Sequence, residues 1–187
     1  MTPIELLERS QHEFATRLDC VDLGQWAAAT PCDEWDVHFL VAHVVGGNRF
    51  AVRVLAGDSA VSAIEHVMSQ PQLGSDPSDD FRGTASAQTS AFINALRVDT
   101  LVDHPLGRIT ARRFLEFRIF DLTLHAWDLA VAIDASPRLD DALVAAVLEI
   151  VTRDGDGMGF DIAPLSHVSA QATAQDRLLD LTGRVPG

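Results

Sequence analysis

The sequence predicts an all-α protein: an antiparallel four-helix bundle with a short extra C-terminal helix. Two observations favour this fold class. Apolar residues recur with a 3.6-residue period along most of the chain, whereas the alternation expected of β-strands is nearly absent. The predicted connections are also short, and long helices with short connections pack as antiparallel bundles. The length of 187 residues, 47% of them hydrophobic, predicts one domain covering residues 1–187 with its own core.

The first two helices are predicted from their N-terminal signals. A helix over residues 3–19 begins with Pro3, which the first turn tolerates because its missing N–H would be unpaired there anyway. A second helix over residues 37–55 follows Asp36, whose carboxylate is a good N-cap. Each of the two helices carries an apolar stripe that needs a partner.

The later helices are bounded by residues that break helices. The segment SQPQLGSDPSDD predicts a solvated loop before a helix over residues 82–97. The segment DHPLGR predicts a turn before the longest helix, residues 110–133, which ASPR closes. Helices over residues 140–153 and 172–182 flank a glycine-rich loop.

The charge of the chain argues against two classes of partner. Acidic residues outnumber basic ones 27 to 14, giving a formal charge of −13. This is the wrong sign for binding nucleic acid or an anionic membrane surface. We find no signal peptide and no apolar run long enough to span a bilayer, so we expect a soluble, cytoplasmic protein. Cys20 and Cys32 are expected to be reduced, half-buried thiols.

Three ionisable residues lie on the apolar side of the longest helix. Asp121, His125 and Asp128 are spaced by four and three residues, so they share a face with Phe114 and Phe117. Burying such polar groups without partners would cost about 1–3 kcal/mol each, and more for a charge. The sequence therefore predicts that some other group satisfies them.

A metal ion is one such group. Asp121 and His125 are four residues apart on one helix, a spacing that lets two side chains bind one ion. His43 on the second helix could supply a third ligand, and Gly46 and Gly47 would allow another helix to approach. On spacing alone, an ordinary buried pair of histidine and carboxylate remains the alternative.

Three segments together resemble a known family. TPCDEWDVHFLVAHVVGG, LHAWDLAVA and DRLLDLTGRVP are similar to the DinB-like superfamily, in the branch related to the N-terminal domain of mycothiol-dependent maleylpyruvate isomerase. The resemblance is strongest to its short, single-domain, actinobacterial-type members. It implies a four-helix bundle that holds a divalent metal, typically zinc, through His43, Asp121 and His125.

Two departures from the family limit what the resemblance implies. The isomerase has Glu where this chain has Asp121, which is one methylene shorter and could weaken metal binding or shift the ligand role to Asp128. The isomerase also has a C-terminal domain without a counterpart here. Maleylpyruvate isomerase activity itself is therefore not expected.

The implied function is that of an enzyme whose metal activates a low-molecular-weight thiol such as mycothiol. A metal favours thiolate over thiol and so makes a nucleophile for an electrophilic substrate. We expect a thiol S-transferase or a thiol-dependent isomerase. The helix stripes place Arg49, Arg53 and Arg118 near the site, where they could hold the carboxylate of the thiol or of an acidic substrate.

Other functions stay open at this stage. A metal-dependent hydrolase could use Asp128 as its catalytic base, although Asp128 could instead orient the His125 imidazole. A non-enzymatic stress protein that binds a metal or another ligand is the alternative from a different class. A homodimer is compatible with the sequence.

Overall fold

A computed structural model describes residues 1–154 and 171–185. It is mostly helical, which confirms the all-α prediction. The elements are, in chain order, α1 (Pro3–Leu18), α2 (Val37–Leu55), α3 (Ala60–Ser69), α4 (Pro77–Leu96), β1 (Leu101–His104), β2 (Gly107–Thr110), α5 (Ala111–Ala132), α6 (Asp141–Asp154) and α7 (Ala174–Leu181). The glycine-rich loop predicted after α6 falls outside the described residues.

The chain divides into two compact units, Met1–Pro137 and Arg138–Gly187. In the second unit α6 packs against α7. The backbone N–H of Leu139 donates to Oε1 of Gln175 at 2.9 Å, which ties the start of α6 to α7. The expectation of a single domain over residues 1–187 stays a prediction.

The first unit contains a bundle of four long helices, α1, α2, α4 and α5. Helices α1 and α4 run antiparallel. Near the middle of α1 the Gln11 amide donates to the carbonyl of Ala85 (3.1 Å), while just after α1 ends Asp19 accepts from the hydroxyl of Ser78 (3.1 Å). Residues later in α1 thus meet residues earlier in α4.

Helix α5 runs antiparallel to both α2 and α4. The contacts are those of Asn48 and Gln88 with Arg118 (3.0 and 2.9 Å) and those of Phe50 and Phe92 with Phe114 (ring centroids 5.9 and 5.5 Å apart). It follows that α1 shares its direction with α5, and α2 shares its direction with α4. Helix α3 and its flanking loops return the chain from the end of α2 to the start of α4.

Helix α5 is enclosed by the rest of the bundle. Between residues 111 and 130 every residue is buried except Arg112, Arg113 and Glu116. A helix buried on all sides is a core element. The polar groups predicted on its apolar side are therefore inside the protein.

Three local features differ from the prediction. Helix α3, capped by Ser59, was not predicted. Helix α4 begins at Pro77, within the predicted loop, because Asp76 caps it. The predicted DHPLGR turn is the turn of a short antiparallel hairpin, in which Gly107 has φ +102°. Strands of four residues are too short to show a clear alternation in the sequence.

Helix α2 has the bounds that the sequence predicts. The Asp36 carboxylate accepts a hydrogen bond from the N–H of Phe39 at 2.8 Å, as expected of an N-cap. This cap fixes the start of the helix that carries His43. Among the described residues, no helix is both long and apolar enough to cross a lipid bilayer.

Candidate metal centre

The three predicted metal ligands come together between α2 and α5. Oδ1 of Asp121 lies 3.3 Å from Nε2 of His43 and 3.3 Å from Nε2 of His125. The three ligand atoms lie within 4.8 Å of one another. Because α2 and α5 are antiparallel, a histidine early in α2 faces the second half of α5.

The spacing of these atoms fits a shared zinc ion. Zinc binds histidine nitrogen at about 2.0–2.1 Å and carboxylate oxygen at about 2.0–2.2 Å, so two such ligands in a tetrahedral arrangement lie about 3.4 Å apart. The two separations of 3.3 Å match this value. They are longer than a charge-assisted hydrogen bond, for which about 2.7–2.9 Å is usual. The donor set, two imidazoles and one carboxylate, is one that zinc uses.

The second nitrogen of His125 faces Asp128. Nδ1 of His125 lies 2.9 Å from Oδ2 of Asp128, and because a carboxylate only accepts, Nδ1 carries the proton and donates. Asp128 is fully buried. It lies on the opposite edge of the imidazole from Asp121, a position from which a carboxylate can orient the ring.

Cys32 joins this contact from the loop before α2. Its Sγ lies 3.3 Å from Oδ2 of Asp128 and 3.9 Å from Nδ1 of His125. Cys32, His125 and Asp128 thus form a second group of potential metal ligands that shares the His125 ring. The sequence identified Cys32 only as a half-buried thiol. Its position in the TPCDEW segment, just before the cap of α2, was the signal that could have placed it here.

Arg118 contacts Asp121 from inside the bundle. Its Nη1 donates to Oδ2 of Asp121 at 2.8 Å, and both side chains are more than nine-tenths buried. Nε donates to Gln88, and Nη2 donates to Asn48 and to the carbonyl of Val44. Arg118 therefore lies next to Asp121, and its guanidinium is bonded to groups of the protein core.

The other two predicted arginines have partners other than the three candidate ligands. Nη1 of Arg49 donates to the carbonyls of Pro71 and Gln72 at 2.8 and 3.2 Å. Arg53 forms an ion pair with Asp58, with 2.5 Å between Nη2 and Oδ2. Neither arginine forms a hydrogen bond or an ion pair with His43, Asp121 or His125.

The charges of the centre shift two pKa values in opposite directions. Burial alone would raise the pKa of Asp121, but Arg118, His125 and His43 together hold it well below its usual range. Burial alone would lower the pKa of His125, but Asp121, Asp128 and Cys32 together raise it well above its usual range. Asp121 is thus an anion, and a metal ion would have to displace a proton from His125.

Trp35 lies against both imidazoles. Its ring centroid is 4.8 Å from that of His43 and 5.6 Å from that of His125. A turn holds it there, because the Trp35 N–H donates to the carbonyl of Cys32 (3.1 Å) and the Trp35 carbonyl accepts from the N–H of Thr30 (3.0 Å). The sequence favoured core packing for Trp35, so its contact with the predicted ligands was missed.

The centre is open to solvent on one side. The side chain of His43 is 38% exposed, whereas those of Asp121 and His125 are 8% and 10% exposed. A small molecule could therefore reach the three ligand atoms from the side of His43, next to Trp35.

Comparison with known proteins identifies the family. Residues 7–130 match the sequence profile described as the mycothiol maleylpyruvate isomerase N-terminal domain. The chain belongs to this family. The match covers α2, which carries His43, and α5 up to Ala130, so it includes all three candidate ligands. It confirms the resemblance that the sequence motifs indicated.

Other proteins are similar to the chain in sequence or in structure. Two uncharacterized proteins of Mycobacterium tuberculosis, from strains CDC 1551 and H37Rv, are each 30% identical over 188 residues, covering 98% of both chains. The crystal structure of the mycothiol-dependent maleylpyruvate isomerase aligns with a TM-score of 0.61 at 14% identity, covering 80% of this chain and 68% of that one. A histidine-to-alanine mutant of that isomerase aligns equally well, at 12% identity. At these identities the structural likeness establishes the fold.

Proposed function

We propose that this protein binds one divalent ion, most simply zinc, through His43, Asp121 and His125, and uses it to activate a low-molecular-weight thiol. The observation that carries the proposal is the convergence of two Nε2 atoms on one carboxylate oxygen at the spacing of zinc ligands. The reaction would be a thiol S-transfer or a thiol-dependent isomerisation of an electrophilic substrate. The cytoplasm, where thiols stay reduced, is the proposed compartment.

The ligand set supports a catalytic ion over a purely structural one. Three protein ligands leave a fourth zinc position for a small molecule. The exposed side of His43 supplies the access route. A zinc ion in this position would lower the pKa of a coordinated thiol, so that thiolate is present at neutral pH, where a free thiol with a pKa of about 8.5 is mostly protonated.

The family name supports the choice of thiol. Mycothiol appears in the description of the matching family and in that of the solved isomerase structure. We propose mycothiol or a similar thiol as the cosubstrate. We do not extend the proposal to maleylpyruvate, because that compound is named for the isomerase and not for this chain.

Each side chain of the centre has a role in this proposal. Asp128 would hold the proton on Nδ1 of His125, so that Nε2 is the nitrogen that gives up its proton and binds the ion. Trp35 forms an apolar wall beside both imidazoles. Arg49 binds its present partners through Nη1 and Arg53 through Nη2, so each has further N–H groups that could bind a carboxylate of the thiol or of a substrate.

A hydrolase at the same ion is less well supported. It would need a base on the open side of the centre, and Asp128 is fully buried behind the His125 ring. A protein that only binds metal remains the alternative, and thiol turnover separates it from the enzyme.

Elemental analysis of protein purified without chelator tests the metal. Wild type should contain about one equivalent of zinc or a similar divalent ion, and His43→Ala should contain none. His66→Ala is the matched control because His66 is an exposed histidine of α3. A His43→Ala variant with full metal content would refute the assignment.

A second assay tests the reaction. Wild type with zinc should accelerate the reaction of mycothiol with an electrophile such as chlorodinitrobenzene, and His43→Ala should not. If zinc-loaded wild type accelerates no thiol reaction, the enzyme is refuted and the protein that only binds metal is supported. Ester hydrolysis without any thiol would support the hydrolase instead.

A further inference from the structure

The buried guanidinium of Arg118 is the best-connected polar group next to the candidate ligands. It donates to Oε1 of Gln88 at 2.9 Å, to Oδ2 of Asp121 at 2.8 Å and to Oδ1 of Asn48 at 3.0 Å. The carbonyl of Val44 lies 3.4 Å from Nη2. These partners come from α2, α4 and α5 itself, so three helices fix the position of one side chain.

Gly47 makes room for this guanidinium. A Cβ atom at position 47 would collide with Nη1 of Arg118 and would lie 2.8 Å from Cζ and 2.9 Å from Nη2. Gly47 lies one helical turn after His43 on α2, so both residues face α5. The sequence predicted that the glycines of α2 would permit a close approach, and at Gly47 the approaching group is the side chain of Arg118.

We propose that Arg118, packed against Gly47, is a positioning residue that gives Asp121 a single free oxygen for the ion. This inference rests on the proposed function, since it assumes that an ion is bound. Oδ2 of Asp121 is held by Arg118, while Oδ1 faces both imidazoles. Asp121 is thereby a one-oxygen ligand with a fixed direction.

The arrangement also fixes the direction of the Asp121 carboxylate. A side chain that binds an ion needs a rotamer locked by packing and by hydrogen bonds from its neighbours. Three helices hold Arg118, and Arg118 in turn holds Asp121, so this carboxylate keeps one orientation. Arg118 also neutralises the charge of Asp121, which would leave more of the charge of the ion to stabilise a bound thiolate.

Gly47→Ala is the variant that tests this role. Alanine favours helix more than glycine does, so the backbone of α2 should tolerate the change. The added Cβ should push the guanidinium away from Oδ2 of Asp121. We expect about 10–100-fold weaker zinc binding, as for other groups that orient metal ligands, measured by competition with a chromophoric chelator.

Gly46→Ala is the matched control. A Cβ atom at position 46 would meet only Cγ1 of Val67, at 3.5 Å, which is an ordinary contact. This variant makes the same chemical change one residue away and should bind zinc as wild type does. Both apo proteins should show cooperative thermal unfolding, which separates loss of binding from loss of folding.

The visible spectrum of bound cobalt(II) reports on the coordination itself. Intense absorption is typical of four-coordinate cobalt, and weak absorption is typical of higher coordination. Once Arg118 is displaced, both oxygens of Asp121 can bind, so Gly47→Ala should lower the absorption while Gly46→Ala leaves it unchanged. Arg118→Lys should give the same loss, because a lysine keeps the charge but cannot bond Asp121, Asn48 and Gln88 together.

The outcomes separate this inference from the proposed function. Wild-type zinc affinity and an unchanged cobalt spectrum in folded Gly47→Ala would overturn the role of Arg118 alone. If Gly47→Ala does not fold, Arg118→Lys with unchanged affinity and spectrum would have the same meaning. A wild type that binds neither zinc nor cobalt would overturn both proposals. Zinc binding without thiol turnover would refute the proposed enzymatic activity and would leave the positioning role of Arg118 in place.

Discussion

The two carboxylate oxygens of Asp121 contact different partners. One oxygen pairs with the permanent cation of Arg118, and the other faces the two imidazoles. The Arg118 and Asp121 side chains are only 7% and 8% exposed, so water does little to screen either of them. Removing the carboxylate would leave a buried cation without its counter-ion, and this cost is independent of any metal.

Replacing Asp121 with asparagine should therefore destabilise the apo protein. We expect Asp121→Asn to lower the free energy of unfolding by about 3–5 kcal/mol, the range for breaking one side of a buried ion pair. Urea unfolding in the presence of a chelator measures it. Asp33→Asn is the control, since Asp33 is exposed and a surface change is usually within about 0.5 kcal/mol. Equal stability of the two variants would contradict the buried pair.

Some candidate ligands could be placed together from the sequence more directly than others. Asp121 and His125 lie on one helix, so their spacing alone placed them side by side. His43 is on another helix, so its stripe made it a candidate ligand, and the family resemblance added to that inference. The contact of Cys32 with Asp128 depends on how a loop folds over α5, which helical periodicity does not describe.

At the scale of elements, the cap of α2 connects the site to local helix stability. Asp36 closes the first turn through the N–H of Phe39, and Trp35 just before it lies against His43 and His125. Loss of the cap would allow the first turn of α2 to fray. Trp35 directly precedes Asp36, so its position also depends on this first turn.

Asp36→Ala should lower the free energy of unfolding by about 1 kcal/mol, the usual value of an N-cap. Zinc should also bind more weakly, because the segment that places Trp35 and His43 becomes less ordered. Urea unfolding and chelator competition measure the two effects. Asp33→Ala, in the same loop but without a capping role, should change neither. An Asp36→Ala variant as stable as this control would show that the cap contributes little.

The hairpin provides a prediction about acid stability. His104 in β1 packs near the rings of Phe114 and Phe117, at 5.2 and 5.4 Å, and its Nδ1 accepts from the N–H of Leu106. Burial lowers its pKa below the ordinary value of 6.5, and Asp103 opposes this only in part. The unfolded chain therefore binds this proton more readily than the folded chain does. The stability that neutral His104 confers is complete above pH 6.5 and is lost as the pH falls below it.

His104→Asn should remove this component of the pH dependence, since the asparagine oxygen can still accept from Leu106 but does not titrate. Thermal unfolding would be followed between neutral pH and about pH 5. The wild type should lose more stability than the variant over this range. His66→Asn is the control because His66 is exposed and should behave as wild type does. Parallel curves for His104→Asn and wild type would contradict the prediction.

A terminal signal located the start of some helices but not of others, and the strands, which depend on pairing, were not predicted. Asp36 gave the correct start of α2. Asp76 and Pro77 carry the same kind of signal for α4, as N-cap and first-turn proline, but lie in a segment whose composition is typical of a loop. Strands β1 and β2 are stabilised by each other and by the helices next to them. A local sequence pattern does not predict such pairing.

For the whole molecule, metal binding should appear as added stability. An ion that binds only the folded state stabilises it by about 2.7 kcal/mol at one hundred times its dissociation constant. Zinc should therefore raise the Tm of wild type, and His66→Ala should respond equally. His43→Ala should unfold near the apo wild type with or without zinc, since the His43 side chain is 38% exposed and contributes little to the core. An equal zinc response of His43→Ala would place the ion elsewhere.

The enclosure of α5 has a consequence for how an ion would enter and leave. Amide hydrogens of a helix buried on all sides exchange with solvent only when the whole unit unfolds, whereas helix ends at the surface open far more often. Asp121 and His125 should therefore keep their geometry during local opening, and His43, on the more exposed α2, is the candidate ligand expected to move. The rate of metal exchange should therefore match the rate at which the first turns of α2 open. Deuterium exchange at the amides of those turns measures the opening.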